Sequence, residues 1–296
     1  MGKELYDYFP ACRQVFEEAD ESLHRKLSEL IFYGHKEELD LTEYTQPAVV
    51  TMSMAAYRAF AQYEIEPTVI AGLSLGEYSA LTASGYFTLS QVIPLVRKRG
   101  CYMQEAVPAG KGKMSAVLGL TEDKVRIACE EAKSFGIVEP ANFNCPGQIV
   151  IGGEVPAVEE AARIAKEMGA LKTIDLAVSA PFHTSMLRPA AERLKTELER
   201  ILPGELIIPV ISNVHADTIK ASSEVKELLY RQVMSSVLWE QTIRRMVNSG
   251  IRHFVEIGPG RTLSGFVKKI ERGLNTYHVE DMVSLKTAAE SIKAAK

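Results

Sequence analysis

Gly72-Leu73-Ser74-Leu75-Gly76 sets a serine between two glycines where two kinds of sequence meet. Before it, Thr68-Val69-Ile70-Ala71 follows Pro67 as a short apolar, partly β-branched stretch and predicts a strand. After it, Glu77-Tyr78-Ser79-Ala80-Leu81-Thr82-Ala83-Ser84 predicts a helix that Gly85 ends. The serine falls on a tight strand-to-helix turn, where small flanking residues let backbones approach and the hydroxyl stands beside free helix N-terminal amides. That is the arrangement of a nucleophile elbow in an α/β protein.

Outward from the elbow, residues 3 to 65 read as almost entirely helical, with a break at Asp20-Glu21-Ser22 and Thr42 as a helix cap. Thr88 or Ser90 caps a helix that runs to about Val107 and tolerates Pro94 in its first turn. Pro108-Ala109-Gly110-Lys111-Gly112-Lys113 is rich in turn formers and marks a boundary. Beyond it the order is strand (115 to 119), helix (121 to 133), strand (137 to 144), strand (148 to 152), helix (155 to 168) and strand (171 to 178). This βαββαβ order predicts a ferredoxin-like module. The α/β pattern then resumes with a helix at 184 to 201, a strand at 207 to 211, helices at 222 to 233 and 238 to 249, and a strand at 252 to 257. The expected division is a discontinuous larger domain of residues 1–110 and 184–296, with a mainly parallel sheet, and a small insert of residues 111–183.

With 296 residues, 46% of them hydrophobic, the chain has material for a sizeable core. A net charge of −4 offers no global field toward nucleic acid or anionic lipid. The charged first thirty residues lack an apolar signal segment, and no run of apolar residues is long enough to span a bilayer, so a cytoplasmic protein without a membrane role is expected. Cys12, Cys101, Cys129 and Cys145 match neither a zinc-ligand spacing nor a small disulfide framework; no metal is expected.

A serine nucleophile needs a base. Of six histidines, His183 stands out because Ser179-Ala180-Pro181-Phe182-His183-Thr184-Ser185 joins the last strand of the insert to a helix, and loops at strand ends gather catalytic groups. His24, His35 and His278 read as surface residues, and His215 and His253 as structural ones near strand ends. Within Arg97-Lys98-Arg99, Arg99 is a candidate for a carboxylate ligand: a guanidinium fork binds a carboxylate through two parallel bonds, and Gly100 beside it leaves room for a ligand. No third acid can be chosen among Asp217, Glu240 and Glu256.

Four ordered motifs resemble the malonyl-CoA:acyl-carrier-protein transacylase family, also found as acyltransferase domains of polyketide and fatty acid synthases. They are Gly72–Ala80, Arg99-Gly100 with Met103-Gln104-Glu105-Ala106-Val107-Pro108, Asn142-Phe143-Asn144-Cys145-Pro146-Gly147-Gln148, and Glu256-Ile257-Gly258-Pro259-Gly260. The resemblance implies an α/β-hydrolase-like larger domain and a ping-pong transfer in which Ser74 attacks malonyl-CoA and acyl carrier protein receives the malonyl group. It implies His183 as base and acid, oriented by the backbone carbonyl of Gln232, with the Leu75 amide in the oxyanion hole and Arg99 on the malonyl carboxylate. Phe182 would disfavour an α-methyl branch, and Met103, Asn142 and Asn144 would lie near the site. No cofactor is implied; malonyl-CoA and the carrier are substrates. Lys111, Lys113 and Arg188 are candidates for docking an acidic carrier.

Leu73 departs from the histidine that many members carry before the serine. The family also begins with a strand and a Gly-Gln-Gly turn that supplies half the oxyanion hole, and Met1-Gly2-Lys3-Glu4-Leu5-Tyr6 is similar to the segment after it. A hydrophobic strand and such a turn are therefore expected upstream. Competing readings are an acyl-CoA hydrolase, a transferase of another acyl group, and a catalytically impaired module that only binds the carrier.

Overall fold

The structure is a computed structural model and describes residues 1–178 and 180–295; Ser179 of the histidine loop lies outside them. Five helices come first: α1 (Lys3–Tyr8), α2 (Pro10–Leu23), α3 (Leu27–Tyr33), the single turn α4 (Lys36–Leu39) and α5 (Thr42–Ala61). Helix α5 buries Ala48, Val50, Met52, Met54, Ala55, Ala56, Ala59 and Phe60, so it is apolar nearly all round, as a central core helix must be. Its first helical residue is Thr42 and Leu41 takes the cap position, contrary to the expected threonine cap. Nor does α2 break at residues 20 to 22. It runs on to His24, whose left-handed φ of 48° closes it, while buried Asp20 accepts bonds from the Ser28 N–H at 2.8 Å and its hydroxyl at 2.7 Å, tying α2 to α3.

The elbow leads into α6 (Gly76–Ala83), followed by α7 (Leu89–Glu105). Thr88 caps α7 in a reciprocal capping box with Gln91, and Pro94 lies inside the helix beyond its first turn. Gly100 does not make room for a ligand as expected: a Cβ there would stand 2.6 Å from the Thr42 carbonyl oxygen and 3.1 Å from the Glu43 Cα. The missing side chain lets α7 press against the start of α5, and the neighbouring Arg99 is buried on the same helix.

The insert has the order of elements read from the sequence, although the last strand, expected over residues 171 to 178, is confined to Lys172–Asp175. Strands β1 (Gly112–Leu118), β2 (Val138–Cys145), β3 (Gln148–Glu154) and β4 (Lys172–Asp175), with helices α8 (Glu122–Glu131) and α9 (Val155–Glu167), make a four-stranded sheet in the order β2-β3-β1-β4. All three pairings are antiparallel, which is the ferredoxin-like topology. Strand alternation gives the sheet two faces. Val117, Phe143, Ile149 and Ile151 pack with the apolar residues of α8 and α9. Met114, Ala116, Ala141 and Val150 pack instead against Leu176 and Phe182, so the second face supports the histidine loop.

After α10 (Arg188–Glu199), α11 (Val225–Gln232) and α12 (Trp239–Asn248), the chain forms β5 (His253–Ile257), α13 (Thr262–Ile270), β6 (Asn275–Val279) and α14 (Met282–Ala294). Strands β5 and β6 are parallel and in register from His253 opposite Asn275 to Ile257 opposite Val279. The strands expected at 68–72 and 207–211 meet at only one parallel bridge, Ile70 to Val210. Its two bonds run from Ile70 N–H to Pro209 O and from Ile211 N–H to Ile70 O. The ladder is short because Ile207 and Ile208 give their amides to the backbone carbonyl and hydroxyl of Ser84 instead. Among the described residues no helix is long and apolar enough to cross a membrane.

The contact of α5 with α7 supplies a stability prediction. Replacing Gly100 with alanine should cost ~1–3 kcal/mol, the usual range for overpacking, seen as a lower denaturant midpoint with an unchanged m-value. An unchanged midpoint would show that the two helices do not depend on this close approach.

Candidate active site

Ser74 holds a φ of 53°, the left-handed region that costs a non-glycine residue free energy, on the order of 1–3 kcal/mol. Buried neighbours hold it there. The Ser74 N–H donates to Asn213 Oδ1 at 2.6 Å, Asn213 Nδ2 donates to the Gly72 carbonyl at 2.8 Å, and Gln232 Nε2 donates to the Ser74 carbonyl at 3.0 Å. Of the flanking glycines only Gly72 is required by space, since a Cβ there would fall 2.0 Å from the Gly76 carbonyl, whereas a Cβ on Gly76 meets nothing within 4 Å. Leu75 stands at the cap position of α6, and its N–H has no hydrogen-bond partner among the described residues.

His183 Nε2 lies 2.7 Å from Ser74 Oγ, and its Nδ1 lies 2.9 Å from the Gln232 backbone carbonyl. A carbonyl can only accept, so Nδ1 carries the proton and Nε2 is free to accept the serine proton. Burial first, and then the charge of Arg99, lower the imidazole pKa to about 4; the carbonyls of Gln232 and Ser235 pull the other way. The ring is therefore neutral at neutral pH. The insert positions this loop from one side: Phe182 leans on the open sheet face, and Glu139 of β2 accepts the Ser185 N–H at 2.7 Å and its hydroxyl at 2.8 Å. His183 is buried, while His24, His35, His215 and His253 are exposed. His278, expected at the surface, is half-buried with Nε2 3.7 Å from Glu280.

Arg99 is 2% exposed. Its Nη2 donates to Ser74 Oγ at 3.2 Å and to Gln232 Oε1 at 3.3 Å, and Nη1 donates to Gln46 Oε1 at 2.9 Å. The guanidinium carbon also stands 5.2 Å from the Tyr78 ring centre. Burial lowers its pKa, yet a guanidinium keeps its charge at any pH where the fold survives. Arg97 and Lys98 of the same charge run are surface groups paired with Glu43 and Glu197.

Met103 is buried behind Arg99, its Sδ 4.0 Å from Gln46 Nε2. Asn142 and Asn144 are buried on β2 beside the parallel bridge from Asn142 to Val237, and among the described residues neither side chain bonds to Ser74, His183 or Arg99. Lys111 and Arg188 are exposed, but Lys113 is committed to Asp175 at 2.9 Å and Glu159 at 3.0 Å and offers little free charge. Three participants were missed in the sequence: Gln46, Glu77 and Asn213. Gln46 lies four residues before buried Val50, and Glu77 lies four before buried Leu81, helical spacings that turn them inward; nothing local marks Asn213. Glu77 is fully buried and its pKa rises to about 7, chiefly through burial, against the hydrogen bonds from Gln232 and Asn213. Among the described residues no group of side chains is arranged to hold a metal ion.

Two outcomes follow from this geometry. Gly72→Ala should abolish acylation of the serine and lower the melting temperature, whereas Gly76→Ala should keep both near the parent; equal damage from the two would contradict the spatial asymmetry. The acid limb of kcat/KM for acyl-CoA should fall near pH 4, because the neutral imidazole is lost only as pH drops through the lowered pKa. A limb at the ordinary histidine value of about 6.5 would show that the ring is not held in this environment.

Residues 1–293 match the acyl transferase domain family. The malonyl CoA-acyl carrier protein transacylase of Bacillus subtilis (strain 168) is 46% identical over 294 residues, 99% of this chain and 93% of the relative. The crystal structure of the malonyl CoA-acyl carrier protein transacylase from Clostridium perfringens superposes with a TM-score of 0.97 at 44% identity, over 100% of this chain and 93% of the other. A malonyl-transacylase solved in complex with its type II polyketide acyl-carrier protein gives a TM-score of 0.95 at 40% identity, covering 98% and 94%. With nearly its whole length matched in sequence and in fold, the chain belongs to the acyl transferase domain family, among the malonyl-CoA:acyl-carrier-protein transacylases.

Proposed function

We propose that this chain moves a malonyl group from malonyl-CoA to the phosphopantetheine thiol of an acyl carrier protein through a malonyl ester on Ser74. One observation carries the choice of acyl group: a buried, charged guanidinium 3.2 Å from the nucleophile oxygen. An acyl chain ending in a carboxylate would meet Arg99 as soon as its carbonyl reached Ser74. A hydrolase of neutral esters, or a transferase of acetyl groups, brings no carboxylate for that charge to bind.

As Ser74 Oγ attacks the thioester carbonyl, His183 Nε2 takes the hydroxyl proton. The negative oxygen of the tetrahedral intermediate accepts from the Leu75 amide at the start of α6. Collapse breaks the carbon–sulfur bond, and the proton on Nε2 passes to the departing CoA thiolate. In the second half the carrier thiol gives its proton to Nε2 and attacks the ester, and Ser74 leaves with that proton. The Gln232 carbonyl keeps Nδ1 protonated throughout, a role that a carboxylate fills in triads. Phe182, next to His183, disfavours an α-methyl branch, a discrimination worth only ~1–3 kcal/mol. The reaction needs no cofactor, since both thiols come with their substrates.

The separate apolar clusters of the insert and of the helical remainder support a division into residues 1–110 with 184–296 and residues 111–183. Exposed Lys111 and Arg188 remain docking candidates for an acidic carrier. A cytoplasmic location fits this chemistry.

The test is Arg99→Ala. A charge-assisted pair of bonds to the substrate is lost, so kcat/KM for malonyl-CoA should fall by about 10²-fold, while that for acetyl-CoA stays within about tenfold of the parent. Equal losses for both would make Arg99 a purely structural residue. His183→Ala should slow both half-reactions by ~10²–10⁴-fold.

A further inference from the structure

Beneath the reacting atoms lies a buried carboxylate that the mechanism above does not use. Glu77 has no exposed surface, and its Oε2 accepts the Gln232 side-chain Nε2 at 2.7 Å and the Asn213 N–H at 3.2 Å. Burying a carboxylate is expensive, and an apolar residue would fill the same space without that cost. What the carboxylate supplies is direction. A glutamine carboxamide has an oxygen end and a nitrogen end of nearly equal size, and only its partners decide which end points where.

At Gln232 the two ends matter. Its Nε2 faces Glu77 and the Ser74 carbonyl, and its Oε1 is thereby left facing Arg99 Nη2. Rotated by half a turn, the amide would aim N–H groups at a guanidinium that has only donors, and an oxygen at the Ser74 carbonyl and the Glu77 carboxylate, which only accept. Glu77 keeps this sense in either protonation state: with Oε2 occupied by two N–H donors, a proton would sit on Oε1, which has no hydrogen-bond partner among the described residues.

Resting on the reading of Arg99 as the ligand of the malonyl carboxylate, we infer that Glu77 is a positioning residue for acyl-group selection, acting through the Gln232 side chain to fix where Arg99 points. The Glu77 carboxylate touches neither substrate nor the Ser74 hydroxyl; the backbone N–H of Glu77, which every side-chain variant keeps, donates to the Ser74 carbonyl at 3.1 Å. Its effect is on the malonyl arm and much less on the Ser74–His183 pair, because His183 is held by the backbone carbonyl of Gln232 and not by the side chain. The chain therefore runs from the helix after the elbow, through one amide, to the guanidinium: Glu77, Gln232, Arg99. Gln46 holds the other arm of Arg99 from α5, so loss of Glu77 loosens one arm and leaves the charge in place.

The experiment compares kcat/KM for malonyl-CoA and acetyl-CoA, both normalised to active sites, in the parent and in Glu77→Met, Glu77→Gln, Gln232→Met, Glu77→Met with Gln232→Met, and Arg99→Ala. Glu77→Met and Gln232→Met should each lower the malonyl-to-acetyl preference by about three- to thirtyfold, and the double variant should lose no more than either single one, since both act on one link. Glu77→Gln, which keeps an acceptor toward Gln232, should hold the preference within about threefold. If Glu77→Met yields no folded protein, Glu77→Asp takes its place, because it keeps the charge but withdraws the acceptor by one methylene. Equal loss toward both thioesters in the single variants, or losses that multiply in the double one, would overturn the inference, as a general packing role moves both substrates together. If Arg99→Ala itself leaves the preference intact, the reading of Arg99 fails first; if Arg99→Ala destroys the preference and the Glu77 variants keep it, only this inference fails.

Discussion

A guanidinium shut away from water beside a serine hydroxyl is the constraint around which this molecule is arranged. An uncompensated charge of that kind costs several kcal/mol, so the protein must answer it from several directions at once. Gln46 comes from α5, Tyr78 from α6 and Gln232 from α11, and each is itself buried. Three helices distant in sequence are thereby drawn to one point. Ser74 is there because the elbow delivers it, and the same Gln232 that meets the arginine through its side chain holds His183 through its backbone. The charge also acts at a distance: it adds to burial in keeping the imidazole neutral, which is the state a base requires.

The insert contributes without donating a reacting group. Its outer face is closed by α8 and α9, and its inner face carries small and apolar residues against Phe182. Glu139 grips Ser185 just past the histidine, while β2 extends beyond its own sheet to exchange bonds with Val237, five residues after Gln232. Both segments that orient His183, its own loop and the stretch following α11, are thus fastened to one strand. His183 sits at a left-handed φ of 62°, a conformation that persists only where neighbours on both sides impose it.

Much of this was legible in the sequence, for reasons that differ from residue to residue. The ferredoxin-like insert was readable because its strands and amphipathic helices are local patterns, and their order names the topology; the register came only with the structure. Ser74 and His183 were readable from their junctions; Arg99 was singled out for its guanidinium fork, the glycine beside it and the family motif, while the structure places it on the buried face of α7 with Val96 and Met103, three before and four after it. Gly100 was misjudged because its neighbour is the α5 backbone, more than fifty residues earlier. The parallel sheet was overestimated between residues 68 and 211, since no local pattern reveals that Ser84 takes the amides of Ile207 and Ile208. Strand β6 and the helices around it were passed over. Asn213, which staples the elbow from 139 residues away, has no signature at all before the chain folds.

The central claim is that Ser74 carries the malonyl group as a covalent ester on its way to the carrier, and the most direct measurement is peptide mass spectrometry of the protein quenched after mixing with malonyl-CoA alone. The expected result is one malonyl group on the peptide containing Ser74, stable for many turnovers' time without carrier and discharged when carrier protein bearing the phosphopantetheine thiol is added. A malonyl group on another residue, a label that the carrier does not remove, or rapid release of free malonate with no labelled peptide would contradict it.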